Sequence, residues 1–316
     1  MKRVLLTGGT GFIGQEALPF LLERGYEVHI AARSGEPDGP AASSAVHYHR
    51  CDLLRDSCEA LVAGIQPTHL LHFAWYAEHG AFWWALENLD WVAASLRLAR
   101  AFAAAGGARA VFAGTCAEYD WGFHTLDEGL TPIGPATLYG CSKASLYRLM
   151  SSAANRLRSS LAWGRIFFPY GPRDQAGRLL STVIDKISAG EVVACSDGSQ
   201  ARSFIYVEDV ARAFVELLDS RVEGAVNIAT DQVYTVREVV LSAARLCGGE
   251  SMVQFGASPP QPNEPPFMRA SVRRLYDEVG FRPRFDLIRG LQATVGLRCT
   301  LGTSKSIDKD INLTHV

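Results

Sequence analysis

The chain has 316 residues, 48% of them hydrophobic and 20% charged, and a formal net charge of −2. That is ample apolar material for a buried core in one large or two small domains, and the missing basic excess argues against a general nucleic-acid binder. No run of ~18 uncharged apolar residues exists, so no membrane span is predicted, and seven cysteines without a CxxC pair predict reduced thiols in a cytosolic protein.

The first strand, around Val4-Leu5-Leu6, runs into Thr7-Gly8-Gly9-Thr10-Gly11-Phe12-Ile13-Gly14, and apolar residues at helical spacing follow from Ala17 to Leu22. Strand, glycine-spaced turn and helix in that order predict a dinucleotide site. Gly8, Gly11 and Gly14 leave no Cβ between backbone and pyrophosphate. The helix entered through Phe12 and Ile13 turns its first N–H groups to the phosphates. The second strand, Tyr26 to Arg33, carries Ala32 where an acid would bind the ribose hydroxyls, followed by Arg33 and Ser34. A guanidinium beside a hydroxyl suits a 2′-phosphate. NADP(H) is therefore expected ahead of NAD(H).

A third strand, Val46 to Cys51, places His47 and His49 about Tyr48. No third ligand lies nearby in the sequence, so no metal site is expected. A helix near 55–64, a strand from Thr68 to Ala74, a helix from Leu86 to Ala105 and a strand from Ala108 to Ala113 come next. A helix from Tyr139 to about Arg158 and a strand from Leu161 to Phe167 continue the alternation. The pattern predicts an α/β fold, a doubly wound parallel sheet with a smaller mixed α/β C-terminal lobe. Pro and Gly rise beyond Pro169, which sets the expected division. Residues 1–168, with a return segment at about 204–230, form the dinucleotide domain. Residues 169–203 and 231–300 form the substrate lobe, and 301–316 a polar tail.

Tyr139 and Lys143 stand four residues apart, on one face of their helix. A tyrosine near its ordinary pKa of ~10 is a poor base at neutral pH, but an adjacent ammonium and an oxidised nicotinamide favour phenolate. Tyr139 could then pass a proton to or from an alcohol oxygen while hydride moves at carbon. Thr115, closing its strand at the carboxyl end, can hydrogen-bond the same oxygen.

With these residues the chain resembles the extended short-chain dehydrogenase/reductase superfamily, in its nucleotide-sugar branch, the NAD-dependent epimerase/dehydratase family. The likeness covers nearly everything from residue 1 to about 295. It rests on Thr7–Gly14, Asp52-Leu53, His72-Phe73-Ala74, Asn88, Gly114-Thr115, Tyr139–Lys143, Arg165–Pro172 and the segment Arg202–Ala211. The resemblance implies Asp52 and Leu53 at the adenine, Phe73 and Ala74 lining the cofactor, and Lys143 on the nicotinamide ribose. Phe168 joins the cofactor residues, although many epimerase relatives have Asn there. Gln261 stands where they have Arg. Arg202, with Arg178 as companion, would grip the substrate diphosphate. A homodimer through helices 86–105 and 139–158 is also implied; Ala93, Ala94, Leu96 and Leu98 make a face that permits close helix packing, and that equally could cover the protein's own sheet.

Relatives that dehydrate sugars resemble this chain but carry two acids after the catalytic threonine; here Cys116 and Ala117 stand there, and a 4,6-dehydratase is disfavoured. Strand alternation puts Glu118 on the opposite side from Ala117. The aromatic run from Trp75 to Trp84 reads equally as a sugar pocket or as lobe packing. Trp75, Tyr76 and His79 join Cys116, Glu118, Arg178 and Arg202 as substrate candidates. Cys116, Cys141 and His124 are extra acid–base groups only if the enzyme epimerises, and buried thiols are the plainer account. The expected reaction is NADPH-dependent reduction of a nucleotide-linked 4-keto-6-deoxy sugar. A C4 epimerase with a tightly bound nicotinamide stands second, and a non-catalytic NADP-binding scaffold third.

Overall fold

The computed structural model describes residues 2–34, 43–259 and 264–298. Gln261, Cys299 and the 301–316 tail lie outside the described residues. Seven strands form the main sheet: β1 (Arg3–Thr7), β2 (Glu27–Ala32), β3 (Val46–Arg50), β4 (His69–His72), β5 (Arg109–Thr115), β6 (Ser160–Ile166) and β7 (Gly224–Ile228). Their order is β7-β6-β5-β4-β1-β2-β3, with every neighbour parallel. Parallel strands need covered faces, which is why all seven residues of β5 are buried. Successive connections run outward in opposite directions from β1 and β4, so the crevice for a ligand opens at the carboxyl ends of those strands.

Helices α1 (Gly14–Glu23), α2 (Cys58–Ile65), α3 (Glu87–Ala104), α4 (Leu138–Leu157), α5 (Leu179–Ser188), α6 (Val207–Asp219) and α7 (Val236–Leu246) cover the sheet and the elements beyond it, and residues 287–298 are helical as well. α1 and α6 close one face, where Leu6, Ile30, Val111 and Phe214 form a core. α2, α3 and α4 close the other, around Leu5, Leu70, Phe102, Phe112 and Trp163. Alternate residues of each strand feed the two cores, as period two requires. Of the close-packing face, Ala94 and Leu98 are buried within the chain, Leu98 in the second core. Burying these apolar groups against the chain's own sheet satisfies them without a partner.

Beyond Ile166 the elements shorten. Phe168–Tyr170 pairs in parallel with Phe204–Tyr206. A four-stranded sheet joins Tyr234–Thr235, Ala201–Arg202, Phe267–Ala270 and Thr125–Leu126. α5 and α7 pack here through Val183, Ile187, Val239 and Ala243. No helix among the described residues is long and apolar enough to cross a membrane.

Candidate active site

The glycine turn is shaped by contacts that only glycine tolerates. Gly8 has φ +70°, and a Cβ there would lie 2.7 Å from the Ala74 nitrogen and 2.9 Å from the Phe73 carbonyl carbon. A Cβ on Gly14 would lie 2.1 Å from the Gly8 oxygen. Gly11 differs: its Cβ would meet only that oxygen, at 3.2 Å, so the turn keeps a cradle over Gly11 that a side chain would fill. Ile13, the residue before α1, gives the helix no side-chain cap, so the start of the helix suits an anion at this turn. These residues fit a dinucleotide pyrophosphate. Arg33 and Ser34 stand exposed directly after buried Ala32. Asp52 accepts from the Leu54 nitrogen at 3.1 Å, and Leu53 packs into the second core. The ring of Phe73 packs edge-on to Phe214, 4.8 Å between centroids.

β5 extends to Thr115, two residues past its expected end, and places that hydroxyl at the sheet's carboxyl edge. The chain then turns. Thr115 Oγ1 accepts from Ala117 N at 3.2 Å, Thr115 N donates to Glu118 Oε1 at 2.8 Å, and Cys116–Glu118 closes as a single 3₁₀ turn. Strand alternation therefore does not govern Glu118. Its carboxylate, expected at the substrate, is 0% exposed. It also accepts from Trp163 Nε1 and Arg165 Nε, both at 2.8 Å. Such a buried charge is tolerable because Arg165 pairs it and its remaining donors are fixed. Gly114 admits this arrangement, since a Cβ there would lie 2.0 Å from Trp163 Nε1.

α4 docks against this turn. Thr137 caps it, accepting from Gly140 N at 3.1 Å, and a Cβ on Gly140 would lie 2.2 Å from the Ala117 oxygen. That close approach brings Tyr139 to Thr115. Burial holds the Tyr139 phenol well above its ordinary value; the Thr115 hydroxyl and the charge of Arg178 pull the other way, and Glu118 adds to the rise. Phe82 meets the Tyr139 ring edge-on, 4.9 Å between centroids, and Trp83 at 5.9 Å. One turn on, Lys143 is 3% exposed and donates to the Ala113 oxygen at 2.8 Å. Burial brings its pKa down to about 7.

Trp75, expected at the sugar, is the platform under that ammonium, 3.6 Å from Nζ to the ring centroid. Asn88 holds it, accepting from Trp75 Nε1 at 2.8 Å while donating to the carbonyls of Phe82 and Ala85. His72 is buried between Thr7 and Ser95, and burial drops its pKa to about 3, so it is a neutral strut.

Arg202 is 2% exposed, 3.0 Å from Glu264 Oε1, with its guanidinium carbon 5.4 Å from the Phe168 ring centroid. Phe168 thus packs on the expected diphosphate arginine. Cys116 lies within the field of Arg202, but burial pushes its thiol up to about 12, so it is no thiolate at neutral pH. Arg178 lies 3.3 Å from Asp174 Oδ1, and burial raises that acid to about 6 against the arginine's pull. His79 donates its backbone N–H to Gln175 Oε1 at 3.0 Å, so the aromatic segment meets the 175–178 loop. Tyr76 donates to Glu78 at 2.8 Å.

A family model described as the NAD dependent epimerase/dehydratase family matches residues 4–229, which span the glycine turn, Thr115, Tyr139 and Lys143. The chain belongs to that family. Among relatives of this epimerase/dehydratase chain, UDP-glucuronic acid decarboxylase 1 of Danio rerio is 26% identical over 304 residues, covering 93% of this chain and 72% of that protein. CDP-abequose synthase of Salmonella typhimurium is 25% identical over 296 residues, covering 92% and 96%. The structure of Thermus thermophilus UDP-glucose 4-epimerase in complex with NAD superposes with a TM-score of 0.78 at 28% identity, covering 94% and 99%.

Three supports of this family site escaped sequence reasoning: the Phe82–Trp83 clasp on Tyr139, the Asn88 hold on Trp75, and the Glu118–Arg165 pair. Arg165 inside an otherwise apolar buried strand was a readable signal for the last, because a buried guanidinium needs a carboxylate.

Proposed function

We propose that this protein moves hydride at C4 of a nucleotide-linked sugar, and that its net reaction is NADPH-dependent reduction of a 4-keto-6-deoxy sugar. The observation that carries the reading is the meeting of Thr115 and Tyr139, with Lys143 one helical turn away, at the carboxyl edge of the sheet beside the glycine turn. When bound, the nicotinamide supplies the hydride. The chain's residues handle the oxygen: Thr115 donates a hydrogen bond to it, and Tyr139 gives it a proton as negative charge develops. Lys143, charged below about pH 7 in the cofactor-free site, favours phenolate on Tyr139 and so recharges the relay. Cys116 and Ala117 offer no acid for a dehydration, and the buried Glu118 is bound in its own ion pair.

The preference for NADPH rests on Ala32, Arg33 and Ser34. Arg33→Ala is expected to weaken NADPH by about 1.5–3 kcal/mol, the worth of a charge-assisted contact, and to leave NADH nearly unchanged. Titration of both cofactors checks this, and equal losses would remove the assignment.

The likeness to an NAD-bound 4-epimerase favours a second reading, oxidation and re-reduction of one carbon on a retained nicotinamide. Incubation with 4-deuterated NADPH and a nucleotide-linked 4-keto sugar separates the two. A reductase consumes NADPH in proportion to product and places the label on sugar C4. Interconversion of a 4-hydroxy pair without added cofactor, and without label, sinks the reductase reading.

A further inference from the structure

Four ligating side chains stand on one face of the sheet at its outer edge, away from the glycine turn. β2 and β3 pair with His29 opposite His47 and Ala31 opposite His49. Alternation along each strand turns Glu27, His29, His47 and His49 to the same side, toward α2. Glu27 Oε1 lies 3.3 Å from His29 Nε2 and 3.4 Å from His47 Nε2. One ligand atom from each of these three residues falls within 4.8 Å of the others. His47 and His49 both stack on His29, at centroid separations of 4.8 and 5.2 Å.

His29 is 8% exposed, and its buried Nε2 makes no hydrogen bond. Its Nδ1 lies 2.9 Å from His49 Nε2. With His29 as the donor in that contact, Nε2 is left as a bare lone pair among Glu27 and His47. A buried imidazole nitrogen without a donor is costly unless something coordinates it.

We propose that Glu27, His29 and His47 form a site for a divalent transition metal of the zinc type, with His49 as a positioning residue. A tetrahedral centre with bonds of about 2.0–2.1 Å sets its ligand atoms about 3.3–3.4 Å apart, which is the spacing from Glu27 to each histidine. Two imidazoles and a carboxylate suit zinc, copper or nickel and not calcium or magnesium. The second shell is present: His49 Nε2, as the acceptor from His29 Nδ1, would hold the tautomer that frees Nε2, and Arg3 Nε, 3.1 Å from Glu27 Oε2, turns Oε1 to the histidines. A fourth position faces a cleft of about 440 Å³ beside Ala60, Leu61 and Gly64 of α2. Glu27 is level with Arg3, the first residue of β1, while the glycine turn follows the other end of that strand. The ion therefore cross-links the sheet's edge strand to its neighbour and takes no part in hydride transfer.

Zinc titration of the chelator-treated full chain, read by calorimetry and by thermal melting, tests the site. The expected result is one zinc per chain and a raised Tm. His47→Ala, on an exposed side chain, and Glu27→Gln, a near-isosteric change on a half-buried one, should weaken binding by at least about tenfold, and His49→Ala by about 10–100-fold. Co²⁺ in place of zinc should show the d–d absorption of a tetrahedral centre. His124→Ala, an exposed histidine elsewhere, should bind as the parent does. Absence of saturable binding in the micromolar range, or binding that His47→Ala and Glu27→Gln leave unchanged, overturns the proposal.

Discussion

Tyr139→Phe is expected to lower turnover by about two to four orders of magnitude while cofactor affinity stays near its parent value. The substitution removes one oxygen and keeps the ring, so the edge-on contacts with Phe82 and Trp83 persist and α4 remains docked on the 116–118 turn through Gly140. What disappears is the phenol oxygen beside Thr115, the proton carrier of the proposed reaction. Water or Thr115 alone leaves the developing alkoxide to a donor whose pKa is poorly matched. The loss should therefore fall on kcat and kcat/KM together, with KM little changed, as for an interaction made in the transition state. Steady-state kinetics with a nucleotide-linked 4-keto sugar, alongside a cofactor titration, reads both quantities. Near-normal turnover on an active substrate would show that the proton comes from another group.

The largest stability effect is expected at Glu118. Glu118→Ala should cost about 3–5 kcal/mol, the usual result of stripping one partner from a buried ion pair. Arg165 would be left charged and enclosed, with Tyr119 and Tyr147 as its remaining neighbours, and the donors Thr115 N and Trp163 Nε1 would lose their acceptor. The same change frees the turn that aims Thr115, so kcat should fall in whatever fraction remains folded. Glu118→Leu combined with Arg165→Met should recover much of the stability, because it removes the stranded charge along with its partner. Urea denaturation of the cofactor-free protein measures the differences. A Glu118→Ala change under about 1 kcal/mol would mean the carboxylate is not a structural anchor.

Much of this architecture is written in local pattern. Apolar runs alternating with helical spacing are enough for a parallel sheet, since a strand buried on both faces must be apolar throughout and a covering helix must show a stripe. The glycine spacing from Gly8 to Gly14 and the four-residue step from Tyr139 to Lys143 are readable for the same reason. Each is a relation along the chain that one turn or one helix converts into a fixed geometry.

The partners of buried charges were not readable in this way. Glu118 looked like an alternating strand residue until Thr115 closed a 3₁₀ turn and sent its carboxylate to Arg165, 47 residues away. Trp75, which reads equally as a sugar platform or as lobe packing, lies under Lys143 because α4 carries that ammonium over its ring. His47 and His49 lacked a third ligand in sequence, yet strand register set His29 opposite one of them and Glu27 on the same face. By itself the sequence determined the sheet, the glycine turn and the one-turn spacing of Tyr139 and Lys143, because these follow from backbone periodicity. Only the tertiary structure decided which side chains meet, because register and helix docking depend on how the two cores pack and no local pattern encodes that.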